Sequence, residues 1–221
     1  MKSEDIIPLH VADVTYPAEH PLAGQTGVVQ AFVVRHSQGL LLVDTGVGLG
    51  NPYIDELYKP NAWNIKDAMY RKRLDGDAVV MVVNTHLHFD HSGQNVEFPE
   101  IPILVQQDEW EAAWQEGYTV REWIDFEEAN YMRLRGDTEI APDLRLIFTP
   151  GHSPGHQSLA VDTEDGLVLI VGQAAQDAKA FATAPADPSL QRLRDLNAAV
   201  IHFSHDRAVL KKTEKHGEAK K

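Results

Sequence analysis

The sequence contains no cysteine. Disulfides, thiolate nucleophiles, cysteine zinc sites and iron–sulfur clusters are therefore excluded, and any metal must be held by His, Asp, Glu or an amide oxygen. Long apolar runs are missing as well, since stretches such as residues 167–171 fall far short of the roughly 18–20 residues that cross a bilayer. The opening residues carry no apolar run of seven or more, so no secretory signal is read there and a cytoplasmic location is expected. Positive charge is scarce: 20 Lys and Arg stand against 33 Asp and Glu, a formal net charge of −13. Such a field repels nucleic acid phosphates and anionic lipid surfaces, and points to neutral or apolar small molecules as partners. A Gly-x-Ser-x-Gly elbow is absent, which argues against a serine hydrolase.

What remains is an ordinary globular composition, 43% hydrophobic and 24% charged over 221 residues. It predicts a single domain over residues 1–210 and a frayed, charged tail over residues 211–221. Short β-branched runs bounded by turn residues predict strands at 28–34, 40–43, 79–83, 103–105, 144–148, 158–161, 167–171 and 200–203. Helical periodicity is clearest at 63–74, 108–115 and 188–199. The early strands read as joined by turns and the late ones as separated by helices. An α/β architecture follows, two sheets packed together with helices outside.

Histidine carries the chemistry: most of the eleven fall into three tight groups. The first is Thr85-His86-Leu87-His88-Phe89-Asp90-His91, entered directly from a predicted strand. Residues two apart on extended chain point the same way, so His86 and His88 can converge on one ion. Asp90 and His91 are adjacent and serve a second ion only if the chain turns, for which Ser92-Gly93 is the expected device. Three imidazoles and a carboxylate within six residues have no common packing role. The donors suit zinc, and also iron or manganese.

The second group, Thr149-Pro150-Gly151-His152-Ser153-Pro154-Gly155-His156, is held in a restricted loop by two prolines and two glycines. The third is His202-Phe203-Ser204-His205-Asp206, at the end of a strand. His10, His20, His36, His202 and His216 are read as ordinary surface or core groups, and residues 44–50, although glycine-rich, as a plain turn rather than a dinucleotide loop. Trp110, Trp114, Tyr118, Trp123, Phe126 and Tyr131 concentrate aromatics in one expected helical segment, read first as core packing and alternatively as a roof over an acyl-chain pocket.

These segments, together with Gly39-Leu40-Leu41-Leu42-Val43-Asp44-Thr45-Gly46 and Ser204-His205-Asp206, resemble the metallo-β-lactamase superfamily, and within it the N-acyl homoserine lactonases. The resemblance implies an αββα sandwich of two mixed sheets. It implies two divalent metal ions, one held by His86, His88 and His152 and the other by Asp90, His91 and His205. It also implies that metal-activated hydroxide opens a lactone or related ester, with Asp90 protonating the leaving alkoxide and Asp44 orienting a ligand histidine from behind. His156 is read as structural because His152 takes the ligand role. Relatives often form homodimers, and a homodimer is carried as an expectation without a located interface.

The chain departs from the family pattern where a bridging aspartate is usual. It reads Gly172-Gln173-Ala174-Ala175-Gln176-Asp177, which makes Gln173 a weak bridging ligand at best, because an amide adds no negative charge between two dications. Weaker binding of the second ion is expected. Gln176 replaces a tyrosine that the lactonases often carry, and Asp177 is the nearest substitute carboxylate. Two rival functions follow from these glutamines: a mono-iron oxygenase of the same superfamily, and a metal-binding protein without catalysis.

Overall fold

The computed structural model describes residues 1–185 and 187–212. One sheet has seven strands, β1 (Ile6–Thr15), β2 (Thr26–His36), β3 (Gly39–Val43), β4 (Asn61–Ala62), β5 (Val79–Val83), β6 (Pro102–Gln106) and β7 (Asn130–Leu134), in the order β4-β1-β2-β3-β5-β6-β7. The other has six, β8 (Thr138–Ala141), β9 (Leu144–Phe148), β10 (Gln157–Thr163), β11 (Gly166–Ile170), β12 (Val200–Phe203) and β13 (Asp206–Lys211), in the order β13-β12-β11-β10-β9-β8. Both sheets mix parallel and antiparallel pairs, with β3, β5, β6 and β7 parallel in the first and β11 with β12 in the second. The helices are α1 (Pro52–Tyr58), α2 (Ile65–Arg71), α3 (Phe89–Ser92), α4 (Gln107–Ala113), α5 (Arg121–Ile124), α6 (Ala178–Thr183) and α7 (Pro188–Asp195).

Alternation along the strands divides the apolar residues into three layers. Phe32, Val34, Leu41, Val43, Val83 and Leu104 of the first sheet meet Leu144, Leu146, Leu159, Val161, Val168 and Ile170 of the second in a buried inter-sheet core. Leu42 and Val82, one residue out of phase, face the other way and pack with Ile54 of α1 and Ile65 and Met69 of α2. On the far side, Leu169 and Ile201 pack against Phe181 of α6 and Leu190 and Leu193 of α7. Leu41, Leu42, Val43, Val82 and Val83 are buried whichever face they point to, so residues 40–43 and 79–83 read as continuous apolar runs even though Val80 is exposed. The result is the expected αββα sandwich.

The distribution of helices differs from the sequence expectation. After β3 the first sheet alternates strands with helices, whereas β8, β9, β10 and β11 form an antiparallel meander. The helices are also shorter than their periodicity suggests, and the aromatic segment is not one helix: Trp114 caps the end of α4, Trp123 lies in α5 and Tyr131 in β7. The expected tail begins inside β13, which runs to Lys211, and Lys212 N–H still bonds Ala199 O at 2.9 Å. The rest of that tail, with His216, lies outside the described residues.

Strand direction places the site. The C-terminal ends of β3, β5 and β6 in one sheet, and of β9, β11 and β12 in the other, emerge at the same edge of the sandwich. A buried amide seam pins the sheets together there: Gln157 Nε2 donates to Asn84 O at 2.8 Å and Leu104 O at 3.2 Å, while Gln106 Nε2 donates to Gln157 Oε1 at 2.9 Å. Among the described residues no helix is long and apolar enough to cross a membrane.

Candidate metal centre

Beyond β5 the chain bends at Thr85 and again at His88, and between these bends His86 Nε2 and His88 Nδ1 come within 3.0 Å. His152 Nε2, from the loop after β9, lies 3.2 Å from His86 Nε2 and 3.0 Å from His88 Nδ1. Asp90 and His91 are turned to a second group by the helical turn α3, which begins before the expected Ser92-Gly93 and orients them without it. There His91 Nε2 lies 3.1 Å from His205 Nε2, and Asp90 Oδ2 lies 3.8 and 3.5 Å from those two nitrogens. In each triad the donor atoms all lie within 4.8 Å of one another.

Proton bookkeeping shows what those atoms are. His91 Nδ1 is 2.8 Å from Asp44 Oδ2, and His205 Nδ1 is 2.9 Å from the carbonyl of Val28. Both partners are acceptors, so both Nδ1 atoms carry a proton, which in the neutral ring leaves Nε2 as the lone-pair atom that can take a cation. The same holds for His86: Thr85 Oγ1 donates to Asp44 Oδ2 at 2.8 Å and therefore accepts from His86 Nδ1 at 3.1 Å. Lone pairs 3.1 Å apart beside a carboxylate repel unless a cation lies among them. Tetrahedral zinc at about 2.0–2.1 Å from each nitrogen separates its ligands by roughly 3.3 Å, close to these spacings. The residues present therefore fit divalent cations at both triads.

The electrostatics favour neutral rings at His86, His152 and His205 and a proton at His91. Burial, reinforced by the neighbouring imidazoles, holds His86 well below its ordinary pKa and takes His152 to about 3. Burial alone would lower His91 too, but the carboxylates of Asp90 and Asp44 raise it. Burial opposes ionisation of Asp90, yet His91, His205 and His88 hold its carboxyl below the usual range, so it is an anion at neutral pH. Asp44 adopts φ 60°, a left-handed turn that aspartate tolerates, and Thr85 N–H reaches its Oδ1 at 2.7 Å. The glycine-rich turn after it is structural: Gly46 bridges to Ser92, and a Cβ on Gly93 would stand 2.0 Å from Gly48 N.

His156 takes no part in either triad. Its Nε2 accepts from Gln173 N–H at 3.1 Å, so its Nδ1 donates to Thr149 Oγ1 at 2.8 Å, and that hydroxyl donates onward to Ser158 Oγ at 3.0 Å. Both ring nitrogens are consumed by structure. Gln173 lies beside His91, but its amide donates to Gln176 Oε1 at 3.2 Å and Gln176 Nε2 donates to Tyr16 OH at 2.9 Å. Asp177 does not substitute for a bridging carboxylate: it caps α6, accepting from Ala180 N–H at 2.6 Å.

One residue beside the centre was not singled out from the sequence. Glu109 of α4 is fully buried; its Oε1 accepts from Leu87 N–H at 2.8 Å and from Tyr118 OH, and its Oε2 accepts from Ser153 Oγ at 2.7 Å and Gly155 N–H at 3.0 Å. One carboxylate thus ties the loop of His86 and His88 to the loop of His152. Gly155 permits this closeness, since a Cβ there would stand 2.1 Å from Glu109 N. Tyr118 in turn packs on His88, ring centroids 4.8 Å apart. The only sequence signal was an acidic residue in the first turn of a helix leaving a buried strand.

A sequence model of the metallo-beta-lactamase superfamily matches residues 24–205. The chain is 34% identical over 203 residues to an N-acyl homoserine lactonase of Bacillus thuringiensis, covering 80% of this chain and 81% of that protein. It superposes with a TM-score of 0.79 on a mutant of B. thuringiensis AiiA with N-decanoyl-L-homoserine bound at the active site, at 28% identity over 94% of this chain and 95% of the other. An N-acyl homoserine lactone hydrolase with the product N-hexanoyl-L-homoserine bound at the catalytic metal center superposes at 0.74, with 29% identity over 91% and 92% of the two chains. With its four-layer fold and its two histidine-rich triads at one sheet edge, the chain belongs to the metallo-beta-lactamase superfamily, as a metal-dependent hydrolase.

Proposed function

We propose that this chain is a lactonase that opens N-acyl homoserine lactones or closely related esters, with two divalent cations held by His86, His88 and His152 and by Asp90, His91 and His205. The observation that carries the reading is the convergence of two donor triads at one sheet edge, with His91 Nε2 and His205 Nε2 3.1 Å apart beside the Asp90 carboxylate. When bound, divalent cations at such a pair lower the pKa of water from about 15.7 toward about 7 and polarise an acyl carbonyl. Zinc suits both triads, and iron or manganese fits the same donors.

The chain's own residues do the rest. Ionised Asp90 takes the proton of the attacking water on its carboxylate and returns it to the leaving alkoxide as the ring C–O bond breaks, yielding a hydroxy acid. Asp44 keeps His91 and His86 in the ligating tautomer. A cavity of about 700 Å³ lies beside the centre, where Phe89 adjoins Asp90 and Tyr118 packs on His88; its wall mixes Ile54, Leu57 and Val120 with the polar Asn51, Glu116 and Arg121, and the apolar part supports an acyl substituent. Trp110 packs against a core cluster, as the packing reading has it, whereas Trp114 is exposed beside it, ring centroids 5.3 Å apart; neither lines that cavity, which speaks against a roof role for them.

The test is metal content of protein purified without chelator, followed by hydrolysis of a lactone panel and aryl esters by wild type and His88→Ala. Ring opening by the wild type, lost in the variant, supports the reading; equal negligible rates with every metal would sink it. The neutral Gln173 beside His91 keeps one rival open: one iron per chain with oxygen consumption would favour an oxygenase.

A further inference from the structure

Tyr16 stands outside both triads and outside every motif of the sequence, yet its hydroxyl is presented to the centre by three independent restraints. It is the first residue past β1, and its backbone closes the hairpin to β2 through Tyr16 N–H to Gln25 O at 3.0 Å and Gly24 N–H to Tyr16 O at 2.9 Å. The ring is clamped. One face stacks on His20 at 4.2 Å between centroids, and the ring edge lies over Gly27, where a Cβ would stand 2.6 Å from the phenol carbon and oxygen.

The third restraint is directional. Gln173 Nε2 donates to Gln176 Oε1, which fixes the Gln176 amide so that its Nε2 is the group facing Tyr16, and that Nε2 donates to the phenol oxygen at 2.9 Å. The oxygen's acceptor role is thereby used. Its proton donates to no described residue, while Tyr16 and Gln176 line a cavity of about 400 Å³ together with His205 of the second triad. A phenol ordinarily titrates at about 10, so the group is a donor at neutral pH. Tyr58 feels Asp90, but its ring packs on Phe89 at 4.4 Å and no described residue bonds its hydroxyl.

We infer that Tyr16, oriented by the relay of Gln173 and Gln176, positions the substrate by donating its phenol hydrogen bond to a substrate carbonyl oxygen on the His205 side of the centre. This inference rests on the lactonase reading above and deepens it: the two glutamines that depart from the family pattern become a device that aims a phenol from a different part of the chain. The ligand class is an acyl compound whose carbonyl accepts a hydrogen bond, the uncharged acceptor that a phenol selects over a cation.

The experiment compares wild type, Tyr16→Phe, Gln176→Leu and, as a control on the exposed face of α2, Tyr70→Phe, each loaded with the metal that the wild type retains. Lactone hydrolysis is followed by pH-stat, with metal content and thermal midpoint measured on the same samples. Loss of one aimed donor lowers kcat/KM by about 100-fold in Tyr16→Phe, and loss of its orienting amide by roughly 10-fold in Gln176→Leu. Tyr70→Phe stays within about twofold of wild type, and metal content is equal in all four. A purely structural role moves the thermal midpoint of Tyr16→Phe and not its kinetics, so kcat/KM within twofold of wild type overturns the assignment of Tyr16 alone. A wild type that opens no lactone overturns the lactonase reading and this inference with it.

Discussion

Thr85 donates its hydroxyl to Asp44 Oδ2 at 2.8 Å, and the same carboxylate oxygen accepts from His91 Nδ1 at 2.8 Å. Because Thr85 Oγ1 must then accept from His86, one carboxylate sets the tautomer of one histidine in each triad. Asp44→Asn, with an amide that donates as well as accepts, should weaken both ions by about 10–100-fold. Thr85→Val keeps the His91 bond and should weaken only the His86 triad. Chelator competition on the two variants separates the cases, and equal loss at both sites in Thr85→Val would refute the asymmetry.

Glu109 accepts four hydrogen bonds in a fully buried position. Removing it leaves several donors without partners, each costing about 1–3 kcal/mol. Glu109→Ala should therefore unfold several degrees earlier and hold metal more weakly. Glu109→Gln should fall between, because its amide nitrogen accepts from neither Ser153 Oγ nor Gly155 N–H: the serine can turn to accept from it, whereas the Gly155 N–H loses its partner. Denaturation of the metal-free proteins isolates the folding effect; a Glu109→Ala midpoint equal to wild type would show the four bonds to be energetically idle.

Gln173 lies beside His91 without adding charge. Gln173→Asp supplies the missing anion between the triads and should tighten the more weakly held ion by about 10-fold, a gain of about 1.4 kcal/mol. Calorimetric titration of the metal-free protein reads it. The same change removes the donor to Gln176, so tighter metal binding should come with slower turnover, and tighter binding with unchanged kcat would contradict the relay to Tyr16.

His202 offers a pH test away from the metal. It is buried against Phe32, ring centroids 5.5 Å apart, and burial with some help from Lys211 lowers its pKa to about 4. A histidine that folding holds neutral binds fewer protons folded than unfolded, so stability is full above the unfolded value of about 6.5 and is lost as pH falls from there toward about 4. The loss approaches about 3 kcal/mol from this group. In chelator-treated protein, His202→Phe should flatten that part of the stability profile, as urea midpoints between pH 7 and pH 4 would show.

The strands that the sequence made visible are those buried on both faces or alternating cleanly. β1 was not read because its alternation breaks at a bulge between His10 and Ala12, which puts Val11 and Ala12 both in the core. Pro8 disguises it further, although β1 tolerates proline there because β4 pairs only with Ala12 and Asp13 and leaves that stretch at the sheet edge. β7, β8 and β13 border their sheets with largely exposed or half-buried residues and so carry no apolar signature. Among site residues, the ligand candidates were legible because imidazoles spaced two apart after a strand have few other uses. Glu109 and Tyr16 were not, since glutamate in a helix and tyrosine after a strand are ordinary until remote loops are laid against them.

Local chain geometry alone decided the donor types, the convergence of His86 with His88, and the layered α/β class, because the two-residue repeat of extended chain and the run lengths of apolar residues are properties of neighbours. Tertiary structure decided that His152 rather than His156 faces the first triad, that Asp44 serves both, and that Asp177 caps a helix instead of joining the centre. Those outcomes depend on which strand ends share an edge of the sandwich and on which polar atoms are left buried there. Hydrogen-bond satisfaction among groups more than a hundred residues apart is settled only once the two sheets have packed.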